Sequence, residues 1–161
     1  MLDTGLRLEE VINLRWKDLD LISGKLMVRE GKGLKDRTLW LSEEDLELIQ
    51  RWKEAQVKKI GKSPRYIFTA VSKGSMGKQL VPRYIQKLVK RYNKKAGIDK
   101  DISPHNLRHT FATDLLRESK NIRLVQKAMG HSDVSTTMIY THIVDEELEN
   151  ALKNFRANSV T

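Results

Sequence analysis

The chain has 161 residues, of which 39% are hydrophobic, enough for one sizeable core and ordinary for a globular domain. It has no cysteine and no apolar run of the roughly 18 to 20 residues that a membrane helix needs, which excludes disulfides, thiolate metal sites and membrane spans. Its 30 Lys and Arg residues exceed its 21 Asp and Glu residues, giving a net charge of +9 that is typical of proteins that bind polyanions.

The first 41 residues predict a helix followed by a β-hairpin. Apolar side chains recur at near-helical spacing over residues 8–16, so Arg7 should lie at the start of a helix. The runs 26–30 and 37–41 have the composition of short strands, and the segment 31–36 between them contains two glycines, as hairpin connections often do.

The middle of the chain predicts two amphipathic helices and one more strand. Ser42 is a suitable N-cap for a helix over residues 43–59, and a third short strand is predicted at 66–68. Residues 81–95 have the clearest helical period in the chain, and Gly97 should end that helix. The opposite face of this helix has six cations and no acid, which favours contact with DNA phosphates over simple solvation. These cations are Arg83, Lys87, Lys90, Arg91, Lys94 and Lys95.

The last third predicts helices throughout. A helix over 103–119 has proline at its first position, where proline is well tolerated, and a second helix over 122–129 ends at Gly130. A short helix is predicted at 135–141, and a terminal amphipathic helix at 145–156. The fold class is therefore mostly α, an α+β arrangement of helices with a small three-stranded antiparallel sheet.

Two arginines are candidates for holding the oxygens of a phosphodiester. Nucleophilic attack adds a second negative charge to the non-bridging oxygens, and guanidinium groups bind such oxygens bidentately at any working pH. Arg7 follows a glycine turn that would also offer main-chain donors to an anion. Arg108 lies one helical turn after His105, which places both side chains on one helix face. Each residue alone is more often an ordinary surface side chain.

Three more residues would complete a site for metal-free strand cleavage. Lys32 stands between two glycines and can protonate a leaving oxygen, although spacing alone leaves Lys35 open as the proton donor. His131 follows the helix-ending Gly130 and can donate a hydrogen bond to a phosphoryl oxygen. Tyr140 would be the nucleophile, with a buried core tyrosine as the alternative. We find no clustered carboxylates of the kind a two-metal nuclease uses, so no metal or other cofactor is expected.

Four short motifs that contain these residues stand in one order along the chain. They are Thr4-Gly5-Leu6-Arg7-x-x-Glu10, Gly31-Lys32-Gly33-x-Lys35-x-Arg37, His105-x-Leu107-Arg108-His109-Thr110, and Gly130-His131 followed by Tyr140. With these motifs the chain resembles the catalytic domain of the tyrosine recombinases, the phage integrase and Xer group, from Thr4 to about Phe155.

The resemblance implies a DNA strand transferase that acts in site-specific recombination, such as the integration of a mobile element. Strands would be cut and rejoined through a covalent 3′-phosphotyrosine intermediate, without a metal or nucleotide cofactor. By resemblance Tyr140 is the nucleophile, and Lys32 rather than Lys35 is the general acid. The resemblance assigns the other roles in phosphate activation to Arg7, His105, Arg108 and His131. The implied partner is double-stranded DNA, on which the full-length protein would form a homotetramer at paired sites. The implied location of the protein is the cytoplasm, at the nucleoid.

Residues 1–161 are expected to form a single catalytic domain. Full members of the family carry an N-terminal core-binding domain that completes a clamp around DNA. Only six residues precede Arg7, so that domain is expected to be absent and DNA binding to be weak. The helix at 145–156 would dock on a neighbouring protomer or pack within its own. Two alternatives remain: DNA relaxation like that of a type IB topoisomerase, and a DNA-binding module without catalysis.

Overall fold

The computed structural model describes residues 1–29 and 36–130. In that part of the chain a helix is followed by a β-hairpin and then by four more helices. The elements are α1 (Leu8–Asn13), β1 (Lys25–Val28), β2 (Arg37–Trp40), α2 (Glu43–Ile60), α3 (Pro82–Lys95), α4 (Pro104–Ser119) and α5 (Ile122–Met129). This confirms the predicted mostly helical fold with a small antiparallel sheet. The predicted helices at 135–141 and 145–156 lie outside the described residues, as do Lys32, His131 and Tyr140.

One face of the hairpin packs in the main hydrophobic core. β1 and β2 pair antiparallel with Leu26 opposite Leu39, and Leu26 and Val28 are buried while the alternate residues of β1 face solvent. This is the period of two that a half-buried strand requires. Leu6 and Val11, on either side of the start of α1, pack in the same cluster. The start of α1 is therefore held directly against the hairpin.

The predicted third strand differs from the structure. Among the described residues the sheet has two strands, and residues 66–68 instead lie beside the segment that follows α1. Tyr66 forms an isolated antiparallel bridge with Arg15, and the main-chain N–H of Ile67 donates to the Leu14 carbonyl at 2.9 Å. The prediction of a regular third strand is therefore wrong, because the segment pairs with a short loop and forms no regular ladder.

Helices α4 and α5 share a second, smaller core. Ala112 and Leu116 of α4 pack against Val125 and Met129 of α5, and α5 also contacts β2. Gly130 ends α5 in the left-handed conformation, as predicted. None of the residues of helix α3 is fully buried. Its main neighbours are α1 and α4, which leave its apolar side only partly covered. No helix within the described ranges has the length and apolar character needed to cross a membrane.

Gly5 lies in the turn before α1 and is close to helix α4. Its φ of +60° lies in the left-handed region, and a Cβ placed there would overlap the Phe111 ring and lie 3.1 Å from the Met129 sulfur. We therefore expect Gly5→Ala to lower the free energy of unfolding by about 3 kcal/mol, combining left-handed backbone strain with overpacking. Gly61→Ala is the matched control, since Gly61 has a φ of +79° but open space around its Cα. Urea unfolding should show a loss of only about 1 kcal/mol for the control. Equal losses would contradict the overlap with Phe111.

Candidate functional site

Three of the predicted site residues line one cleft. Arg7, at the N-cap of α1, borders a cavity of about 380 Å³ together with His105 and Arg108 from the first turns of α4. Gln86 of α3 lines another side of the same cleft. Residues that are distant in sequence are thus brought together by the contacts of α4 with α3 and of α3 with α1.

The start of α4 determines how two of these side chains are presented. Ser103 is the N-cap, and its hydroxyl oxygen accepts a hydrogen bond from the Asn106 N–H at 3.4 Å. Pro104 occupies the first turn, as the sequence predicted. His105 and Arg108 are three positions apart and therefore lie on one face. His105 is exposed whereas Arg108 is buried, so the imidazole stands at the mouth of the cleft and the guanidinium lies deeper.

Arg7 is anchored at two points while part of its side chain stays accessible. Its Nη1 donates to Glu10 Oε1 at 2.8 Å, and its Nη2 donates to the Gly130 carbonyl at 3.1 Å. The side chain remains 38% exposed, so an anion in the cleft can reach it. The main-chain N–H of Arg7 donates to Glu10 Oε2 at 2.6 Å. This carboxylate occupies the donor that the sequence analysis had expected to face an anion.

The C-terminal end of α5 binds three arginines, namely Arg7 and Arg108 of the cleft and Arg37 at the start of β2. The Ala128 carbonyl accepts from Arg37 Nε at 2.9 Å, the Met129 carbonyl from Arg108 Nη2 at 2.8 Å, and the Gly130 carbonyl from Arg7. The last carbonyls of a helix lack partners within the helix and carry partial negative charge. These carbonyls therefore both stabilise the guanidinium groups and hold them at separate positions. Arg108 also donates from Nη1 to the Gly5 carbonyl.

Glu10 is the centre of this arginine cluster, and sequence reasoning gave it no role. Arg37 binds it bidentately, with Nη1 to Oε1 at 2.7 Å and Nη2 to Oε2 at 2.8 Å. Arg108 Nη1 lies 3.9 Å from Oε2. Glu10 and Arg37 both occur in the sequence motifs, and the spacing of Glu10 three residues after Arg7 is that of a capping box. No local pattern in the sequence predicts that Glu10 contacts β2 and α4.

The electrostatics of the cluster keep Glu10 ionised. Burial is the largest single influence and opposes ionisation, but the hydrogen bonds and charges of Arg37 and Arg7 together outweigh it. They lower the pKa of Glu10 from 4.5 to about 2. Three guanidinium groups around one carboxylate leave the four groups with an excess of positive charge. A negatively charged ligand in the cleft would therefore be attracted to the cluster.

Comparison with known proteins identifies the relatives of this chain. The phage integrase family model matches residues 1–147. A tyrosine recombinase from Pseudothermotoga lettingae is 41% identical over 149 residues, covering 92% of this chain and 49% of that protein. Tyrosine recombinase XerA from Pyrococcus furiosus is 38% identical over 155 residues, covering 96% of this chain and 51% of that protein. The chain thus spans about half the length of these relatives.

Solved structures show the same fold. A crystal structure of XerA recombinase has a TM-score of 0.79 and 35% identity, covering 96% of this chain and 55% of that one. The XerH site-specific recombinase, bound to a palindromic difH substrate in a post-cleavage complex, has a TM-score of 0.76 and 31% identity. That match covers 96% of this chain and 43% of the XerH chain.

Proposed function

Because the chain belongs to the phage integrase family, we propose that it is the catalytic part of a site-specific recombinase that cuts and rejoins DNA strands. The observation that carries this proposal is the cleft in which Arg7, His105 and Arg108 converge. Two guanidinium groups and an imidazole facing one cavity suit the two non-bridging oxygens of a phosphodiester, which gain charge during attack.

In the proposed reaction the Tyr140 hydroxyl loses its proton to solvent as its oxygen attacks the phosphorus atom, and the bond from phosphorus to the 5′ oxygen breaks. The products are a 3′-phosphotyrosine link and a free 5′ hydroxyl, which receives its proton from Lys32. Arg7 and Arg108 bind the phosphoryl oxygens, and His105 and His131 donate further hydrogen bonds to them. Attack by a 5′ hydroxyl on the phosphotyrosine reverses these steps and rejoins a strand. No step requires a metal ion or a nucleotide.

Helix α3 supplies a surface for the DNA backbone beside this cleft. The six Lys and Arg side chains on the cationic face of α3 are all exposed. Gln86 lines the cleft and lies three residues after Arg83 and four before Lys90, so it belongs to the same helical stripe as these cations. Duplex DNA whose phosphates follow this stripe would be led to the arginines, and binding would weaken steeply with salt.

The proposal extends to the organisation of the protein. Residues 1–161 would form a single catalytic domain, and the whole protein would act as a homotetramer on two paired DNA sites. It would act in the cytoplasm at the nucleoid, where its substrate is found. The structural neighbour XerH, described in a complex with its difH substrate, supports double-stranded DNA as the partner.

A covalent trapping experiment tests the proposed activity. The chain is incubated with a pool of duplexes that have a randomised centre and a nick within it, in the presence of a chelator. Cleavage near the nick releases a short fragment that cannot rejoin, so a protein–DNA adduct should accumulate and survive denaturation. Salt-sensitive binding without any adduct would instead indicate a DNA-binding module. Relaxation of a supercoiled plasmid that lacks paired sites would indicate a topoisomerase.

A further inference from the structure

We propose that Arg37 is a positioning residue for strand cleavage: it holds Glu10, and through Glu10 it holds Arg7, in the arrangement that receives the phosphodiester. The inference rests on the proposed recombinase activity. Arg37 and Glu10 are nearly fully buried and are not among the residues that line the cleft with Arg7 and Arg108, although Glu10 borders a second cavity beside Arg7. Their effect on the reaction would pass entirely through the arginines that line the cleft.

The hydrogen bonds from Arg37 fix the orientation of the Glu10 carboxylate. The two parallel hydrogen bonds from Arg37 to Glu10, at 2.7 and 2.8 Å, hold the carboxylate in the plane of the guanidinium. Both side chains are less than 10% exposed, so water cannot readily replace either partner. A carboxylate held in this plane offers Oε1 to the Arg7 side chain and Oε2 to the Arg7 main chain. The direction of Arg7 is thereby set by Arg37.

A further hydrogen bond joins the Arg37 guanidinium to the end of α5. Arg37 Nε donates to the Ala128 carbonyl, immediately before the carbonyls of Met129 and Gly130 that receive Arg108 and Arg7. A planar guanidinium transmits position between its two ends because it has no internal rotation. Arg37 also begins β2, five residues after Lys32 in the sequence. It therefore links the strand after the proposed general acid to both phosphate-binding arginines.

Removal of Arg37 would redirect the remaining charges. Glu10 would keep Arg7 as a partner and gain freedom to approach Arg108, whose Nη1 is already 3.9 Å away. A closer pair between Glu10 and Arg108 would draw toward the carboxylate an arginine that is proposed to bind the phosphate. Cleavage should then slow far more than DNA binding weakens, because the external cations of α3 are unchanged.

The experiment compares Arg37→Met and Arg37→Lys with the wild type in the covalent trapping assay. For Arg37→Met we expect the single-turnover rate at saturating DNA to fall about 100-fold, the scale of a misplaced binding group, with the DNA concentration for half-saturation little changed. Arg37→Lys keeps the charge but cannot make the planar bidentate contact, so its rate should be intermediate. Arg29→Met is the control, since Arg29 follows β1 and donates to Asp18 at 2.8 Å. Its rate should match the wild type.

The pH profile separates positioning from a general loss of stability. The charged groups that face Glu10 in the described residues are the guanidiniums of Arg7, Arg37 and Arg108, which do not titrate between pH 5 and pH 8. Without Arg37 the pKa of Glu10 should rise because burial then meets less opposition. Protonation of Glu10 in the mutant would then release Arg108, so the ratio of mutant to wild-type rate should rise as the pH is lowered from 8 to 5.

Each outcome bears on one proposal. A wild-type adduct with an undiminished rate in Arg37→Met would overturn the positioning role and leave the recombinase activity standing. A rate ratio independent of pH, or an equal loss in Arg29→Met, would also overturn it by showing a merely structural contribution. If Arg37→Met does not fold, Arg37→Lys gives the same comparison. Absence of any wild-type adduct would overturn the proposed activity itself.

Discussion

A Tyr140→Phe variant is expected to form no detectable covalent adduct with DNA while binding DNA as well as the wild type does. The substitution removes only the phenolic oxygen, which in the proposed reaction is the atom that bonds to phosphorus. The aromatic ring is retained. The expected loss in cleavage rate is about 10⁴-fold or more, comparable with the loss of a nucleophile from other covalent enzymes.

The measurement is the covalent trapping assay in chelator, accompanied by a gel-shift titration of the same duplex pool. Tyr66→Phe is a suitable control, because Tyr66 lies beside Arg15 in the segment that follows α1 and does not border the cleft. It should form the adduct at the wild-type rate. An adduct that persists in Tyr140→Phe would assign the nucleophile to another residue, and phosphopeptide mapping would then identify it.

Replacement of Glu10 by glutamine should have the largest effect on stability. The change preserves shape but removes the charge that faces Arg37 and Arg108, both of which are nearly fully buried. Breaking one side of a buried ion pair destabilises a protein by about 3 to 5 kcal/mol. The lowered pKa of Glu10, about 2 instead of 4.5, reflects the same contacts and corresponds to roughly 3 kcal/mol. Cleavage should also slow, since Arg7 loses its anchor.

The pH dependence of this effect has a definite sign. The pKa of Glu10 is lower in the folded protein than in the unfolded chain, so its contribution is fully present above about pH 4.5 and is lost as the pH falls toward 2. The difference in unfolding free energy between wild type and Glu10→Gln should therefore shrink over that range. Urea unfolding at several pH values measures it. Glu9→Gln, at an exposed neighbouring position, should change stability by less than about 0.5 kcal/mol. A difference that stays constant down to pH 2 would contradict the proposed pairing.

Local signals predicted most helix boundaries of the described residues, although α1, expected over 8–16, ends at Asn13. Ser42 caps α2 by accepting from the Asp45 N–H at 3.1 Å, Pro104 opens α4, and Gly130 closes α5, each where the sequence indicated. These signals work because a cap or a stop is a property of four or five consecutive residues. The partner with which an extended segment pairs is not a local property. The β-forming run at 66–68 predicted a third strand of the sheet, but packing placed this run beside a short loop, where no regular ladder forms.

The sequence by itself determined the family of the chain, most helix boundaries among the described residues and the residue types suited to phosphate chemistry, since all of these are recorded in short motifs and local periods. Only the tertiary structure decided which residues meet. The placement of Glu10 among three guanidinium groups, and of those groups on three successive carbonyls of α5, joins segments from four separate elements. Such contacts form because buried charges and helix-end carbonyls must find partners wherever folding brings them close. No local pattern specifies which partners those will be.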